Sequence, residues 1–276
     1  MLFERVDATR NGDPPVKNAL PPLTTNLEEA KAHLLTYGLA LIANHLSSGV
    51  LAEAREATYD AAEADAQLGR KADRFGLDYG DKNLRVWNLL NRAPVFRDLV
   101  QSREVMVLLQ YLLGWPALLG NISAIIAQPG SDGGVWHQDQ LFVPKPWPEA
   151  PQGMNFAWLL DDFTLDNGAT EVIPKSHRGS DAIDQASLDD LAVPVVAPAG
   201  TMMVFESRIF HRTGRNQSTA PRAALFGWYT RPIYRTQENW FLSLDPQIVD
   251  EASETLLVLL GYKSQGLGLV YGRSPK

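Results

Sequence analysis

The chain has 276 residues, 45% of them hydrophobic and 21% charged, and a formal net charge of −7. This suits one large globular unit with its own core, and it leaves no clustered Lys/Arg surface for nucleic acid. There is no cysteine, which excludes disulfides, thiolate metal sites and cysteine nucleophiles and agrees with a reducing, cytoplasmic setting.

The stretch Met1–Pro15 mixes acids and bases without an apolar run, so it reads as neither a secretory signal nor a transit peptide. No segment has membrane-spanning length, and the ending Arg273-Ser274-Pro275-Lys276 is not a peroxisomal address. The expected partner is a small-molecule substrate, with no nucleic acid and no membrane; a homodimer is compatible with the sequence.

Leu27 to Leu35 carries apolar residues at helical spacing after Thr25 or Asn26 as N-cap. Val50 to Gln67 is Ala- and Glu-rich without Gly or Pro, and Pro94 to Leu113 presents an apolar face through Val95, Leu99, Val105, Leu108, Leu109 and Leu112. Both read as helices. Between them, Leu68–Asn91, punctuated by Gly69, Gly76 and Gly80, reads as a long loop able to close as a lid. After Gly120 the texture changes to short β-rich runs at 122–127, 155–160, 193–196, 201–205 and 222–230. Helices first and strands later point to an α+β fold with a mainly β core, a barrel or sandwich with helices outside.

His137-Gln138-Asp139 is the only His-x-Asp or His-x-Glu in the chain. In a strand, residues two apart share a face, so one imidazole and one carboxylate converge on a point. They make two thirds of the facial triad of non-haem iron(II) oxygenases. His211, following the strand-like Thr201–Phe205 and preceding Gly214, is the candidate third ligand; its ordinary alternative is a surface histidine among arginines. Arg222 opens the apolar run Ala223–Phe226. A buried guanidinium needs an anion, and a dicarboxylate cosubstrate supplies one as well as a salt bridge does.

Trp136-His137-Gln138-Asp139, the segment Asp166-Asn167-Gly168-Ala169-Thr170-Glu171-Val172-Ile173-Pro174-Lys175-Ser176-His177, then His211, Arg222 and the stretch Arg231–Asn239 together resemble the phytanoyl-CoA dioxygenase family of iron(II)/2-oxoglutarate oxygenases. Lys175 stands where that family usually has glycine. The resemblance implies a double-stranded β-helix (jelly-roll) core, iron(II) on His137, Asp139 and His211, and 2-oxoglutarate with its distal carboxylate on Arg222. It also implies that O2 is the oxidant and that Thr170 and Gln128 help hold the cosubstrate. The organisation expected is a single domain over 1–276, with 1–119 mainly helical support and lid, 120–246 the jelly-roll core and 247–276 a C-terminal helix or strand.

By the same resemblance an intact Asp139 favours oxygenation over halogenation: hydroxylation first, then desaturation, epoxidation or rearrangement. Phe142, Tyr79 and Trp87, with Trp136 and Trp147, are candidates to line an apolar substrate pocket. The substrate itself is expected to be a small hydrophobic or polycyclic metabolite of secondary metabolism, and the lack of a basic groove disfavours a coenzyme A thioester. His177, His33 and His45 lack ligand-spaced partners and read as structural. Two other readings stay open on the residues alone: a non-oxidative cupin-type metalloenzyme (isomerase or hydrolase), which has no need of Arg222, and a non-catalytic jelly-roll ligand-binding protein.

Overall fold

The computed structural model describes residues 19–69, 82–179, 183–264 and 266–276. Tyr79 and half of the Leu68–Asn91 lid segment, residues 70–81, lie outside these residues. In chain order come β1 (Leu23–Thr24), α1 (Leu27–Tyr37), β2 (Leu39–Ile42), α2 (Ser48–Gln67), β3 (Asn83–Val86), α3 (Pro94–Leu99), α4 (Arg103–Leu112), β4 (Leu118–Ala127) and β5 (Gly153–Leu159). They are followed by β6 (Glu171–Val172), α5 (Leu188–Leu191), β7 (Val193–Pro194), β8 (Met202–Glu206), β9 (His211–Arg212), β10 (Arg222–Thr230), α6 (Trp240–Ser243), α7 (Pro246–Glu251) and α8 (Glu254–Leu259).

Asn26 is the cap of α1, its side chain accepting from the Glu28 N–H, and Gly38 closes the helix at φ 77°. No Cβ fits there, because it would strike the His177 ring. The third helix is two. The Val100 carbonyl turns out of the helical ladder to accept the buried Tyr229 hydroxyl at 2.6 Å, and the chain restarts as α4 after Ser102. The lid segment contains order that its glycines do not announce: its end pairs with β4 as β3, through Asn83↔Ala127 and Arg85↔Ile125. The last 30 residues carry α7 and α8 but no strand among the described residues.

The larger sheet runs β1-β2-β8-β5-β10-β4-β3 and the smaller β7-β6-β9. Strict alternation divides the large sheet's two faces. Met154, Phe156 and Trp158 of β5, Met202 and Val204 of β8, and Leu225 and Tyr229 of β10 pack outward against the helices in one core. Ala157, Leu159, Met203, Phe205 and Ala224 point the other way and meet Val172 of the smaller sheet with Val195 and Ile209 from the segments next to it. The space between the sheets is therefore apolar at one end. At the other it is lined by inward-facing polar residues, and the candidate site sits there.

Lys175 has φ 71°, the left-handed conformation for which glycine is the usual occupant. Its N–H bonds the Tyr37 carbonyl at 2.7 Å and its ammonium lies 5.7 Å from the Tyr37 ring, so local contacts offset the strain.

Candidate metal centre

His137 and His211 face each other across an isolated antiparallel bridge, exchanging both backbone hydrogen bonds (His137 N–H to His211 O, 3.1 Å; His211 N–H to His137 O, 3.0 Å). The alternation argument places Asp139 in the same strand, but the structure corrects this. Only His137 pairs; Asp139 opens a turn closed by the Leu141 N–H on the Gln138 carbonyl. The Gln138 side chain donates to the Arg208 carbonyl, which anchors the turn and leaves His137 and Asp139 on the cavity side.

Each imidazole bonds through Nδ1 to the carbonyl two residues before it, His137 to Val135 at 2.8 Å and His211 to Ile209 at 3.1 Å. A carbonyl only accepts, so both Nδ1 atoms carry the proton and both Nε2 atoms present a lone pair. Those lone pairs meet the two oxygens of one carboxylate: His137 Nε2 is 3.5 Å from Asp139 Oδ1 and His211 Nε2 is 3.4 Å from Asp139 Oδ2. The three ligand atoms lie within 4.8 Å of one another. Burial, with the neighbouring His137 second, lowers the His211 pKa to about 4, so this ring is neutral at physiological pH, the state a metal requires.

Asn155, on the inward face of β5, donates from Nδ2 to Asp139 Oδ2 at 2.8 Å. Ser207 Oγ is 3.5 Å from the same nitrogen and accepts the Trp228 indole N–H at 3.2 Å. Outside the triad, Arg212 bridges Glu171 (2.5 Å) and Asp189 (2.7 Å) and stacks 4.5 Å over Trp136, whose indole also reaches Asp189. The residue preceding one histidine ligand is thereby clamped to the residue following the other.

Arg222 is 1% exposed. It donates to the Gly168 carbonyl and lies 4.4 Å from the Phe163 ring, while its Nε and Nη1 have no partner among the described residues. Burial lowers its pKa to about 10, against the opposing pull of Asp161 and Tyr59. Nearly all buried polar groups are satisfied, so two orphaned guanidinium nitrogens inside the barrel fit a group that an anion completes. Arg222 shares its strand face with Phe226 and Trp228, which line the cavity.

The cavity measures about 480 Å³ and contains the triad, Thr170 and Phe142. Phe142 packs edge-on against Trp228 and Tyr234, with centroids 5.0 Å apart in both pairs. Five expected residues lie outside the cavity wall: Arg222 and Trp136, described above, and Gln128, Trp87 and Trp147. Gln128 stands one residue past β4, and its N–H serves the Lys82 carbonyl. Trp87 takes Arg85 over its ring at 5.4 Å. Trp147 bonds the Val143 carbonyl. His177 is buried, its Nε2 3.4 Å from the Leu35 carbonyl, and burial lowers its pKa to about 4, as a structural histidine requires. The wall holds polar residues that the sequence reading did not single out: Asn155, Asn121, Ser123 and Arg85. Their signal was available as polar residues recurring at every second position of otherwise apolar strands.

The family description "Phytanoyl-CoA dioxygenase (PhyH)" matches residues 34–224, and the chain belongs to that family. It is 33% identical over 249 residues to dioxygenase af480 of Aspergillus fumigatus, covering 88% of this chain and 80% of that protein. Among solved structures it is similar to EctD from S. alaskensis with 2-oxoglutarate and 5-hydroxyectoine (TM-score 0.61, 20% identity, 78% of this chain and 82% of that one). It is also similar to the non-heme alpha ketoglutarate dependent carbocyclase SnoK from nogalamycin biosynthesis (TM-score 0.61, 19% identity, 79% and 91%). At those identities the likeness establishes the fold, a double-stranded β-helix. Family and site define the class: an iron(II)- and 2-oxoglutarate-dependent dioxygenase. Its cofactors are iron(II), 2-oxoglutarate and O2, and the two non-oxygenase readings fall away.

Proposed function

We propose that the chain oxidises a small organic metabolite, an intermediate of secondary metabolism, with hydroxylation as the primary outcome. Iron(II) bound here, with 2-oxoglutarate and O2, supplies the oxidising chemistry and releases succinate and carbon dioxide. His137, Asp139 and His211 hold the metal through Nε2, a carboxylate oxygen and Nε2. The Val135 and Ile209 carbonyls aim the rings, and Asn155 fixes the carboxylate, the kind of outer support that sets ligand basicity and direction. Arg222 takes the distal carboxylate of 2-oxoglutarate on its unpaired nitrogens, with Thr170 beside it. Phe142 and Trp228 exclude water and seat the substrate. The nogalamycin-biosynthesis setting of SnoK supports the metabolite class, and the cysteine-free chain suits the cytoplasm.

One observation carries this reading: two proton-bearing Nδ1 atoms turn both Nε2 lone pairs onto one carboxylate. The test is anaerobic addition of iron(II) and 2-oxoglutarate, which is expected to give a weak visible charge-transfer band. His137→Ala, His211→Ala and Asp139→Ala should each lose the band and metal-dependent turnover. An iron-loaded wild type without the band, or an active His211→Ala protein, refutes the assignment.

No helix among the described residues is long and apolar enough to cross a membrane.

A further inference from the structure

A second chamber of about 360 Å³ lies beside the cavity over the triad, and the two share Tyr234 and Arg235 as their common wall. Tyr234 is fixed there, its hydroxyl 2.9 Å from Gln152 Oε1 and its ring against Phe142. Arg235 is exposed and makes no hydrogen bond or ion pair with any described residue. Lone exposed arginines are common, so its surroundings decide.

Among the described residues lining the first chamber, Asp139 is the only carboxylate, and the second chamber's wall has none. Glu238, three residues on, is turned away and accepts the N–H groups of Asn88 and Ile122. Arg212 is neutralised by Glu171 and Asp189. On the proposed function, the charges of iron(II), 2-oxoglutarate, Asp139 and Arg222 cancel. Among the described residues, Arg235 then stays uncompensated in the wall that the two chambers share. In a chain of net charge −7, a cleft left cationic after its cosubstrate binds is complementary to a negative ligand.

We propose that the prime substrate carries an anionic group, a carboxylate, that pairs with Arg235 in the wall between the chambers while its apolar skeleton lies against Phe142 and Trp228 above the metal. The proposal rests on the iron and 2-oxoglutarate reading of the site and adds the substrate's chemical class. It makes Arg235 a specificity-determining residue, selecting acids over their neutral counterparts.

The test uses 2-naphthylacetate and its neutral isostere 2-naphthylacetamide as probes. They are titrated calorimetrically into anaerobic protein holding iron(II) and saturating 2-oxoglutarate. Wild type should bind the acid about fivefold tighter than the amide, the upper range for a partly exposed ion pair. The ratio should fall with added salt, reach about one in Arg235→Gln and invert in Arg235→Glu. The visible iron–2-oxoglutarate band separates a damaged metal site from a lost rim contact. An acid bound no tighter than its amide by wild type, including no measurable binding of either, overturns the proposal. So does a preference that survives Arg235→Gln with the band intact. Absence of the band in wild type refutes the underlying iron reading instead, whatever the probes do.

Discussion

Arg222→Met removes a guanidinium from the barrel interior and leaves an apolar chain of similar reach. Burial lowers the Arg222 pKa from the ordinary guanidinium range to about 10. A base whose pKa falls on folding is charged in both states at neutral pH, so the whole cost of burying its charge applies there and is relieved only as pH rises through 10. At about 1.4 kcal/mol per unit that cost is about 3 kcal/mol. The variant also leaves the Gly168 carbonyl without its donor, a loss of about 1 kcal/mol. The metal-free variant should therefore gain about 2 kcal/mol, or about 5 °C in Tm. With 2-oxoglutarate the sign reverses. Two charge-assisted bonds to the distal carboxylate contribute roughly 1.5–3 kcal/mol each, so the KM for 2-oxoglutarate should rise at least about a hundredfold. Denaturant titration in EDTA, melting with manganese(II) and 2-oxoglutarate, and succinate kinetics measure the three quantities. A metal-free variant less stable than wild type, together with an unchanged KM, would refute the reasoning and make Arg222 a structural strap on Gly168.

Asn155→Ala should weaken metal affinity by about tenfold or more, the usual effect of losing support behind a ligand; chelator competition reads it, and wild-type affinity would remove Asn155 from that role. Burial raises the Glu238 pKa to about 7 although two backbone N–H groups oppose the shift. An acid raised on folding costs stability as pH climbs from its ordinary value of 4.5 to 7, here by about 3 kcal/mol. Glu238→Gln should flatten that part of the stability curve, and identical slopes in the two proteins would show that Glu238 does not cause it. Arg212→Gln frees the clamp on Trp136 and should lower kcat with little change in the 2-oxoglutarate KM; an unchanged kcat would limit the clamp to surface stability.

The sequence by itself determined the chemistry. One His-x-Asp, a later histidine and an arginine heading an apolar run were legible because their residue types have few other uses in that combination. The strands β4, β5, β8 and β10 were legible as β-rich apolar runs between turn residues, because each is buried on both faces. Apart from β7, which falls within the run 193–196, the shortest strands were not. β1, β6 and β9 have two residues each, too few for a period, and they exist only because partners distant in the chain supply hydrogen bonds, β2 to β1 and β9 to β6. Nor could local pattern show that Val100 gives its carbonyl to Tyr229, 129 residues away, and so splits a helix. Tertiary structure also decided who faces the cavity. Thr170 and Phe142 arrive there, while Trp87 and Gln128 do not, because a side chain's direction depends on register with a distant strand. Asn155 becomes a partner of Asp139 only when β5 docks beside the turn that carries the ligand. Residue type fixed which reactions were available; the pairing of distant strands fixed where those residues point.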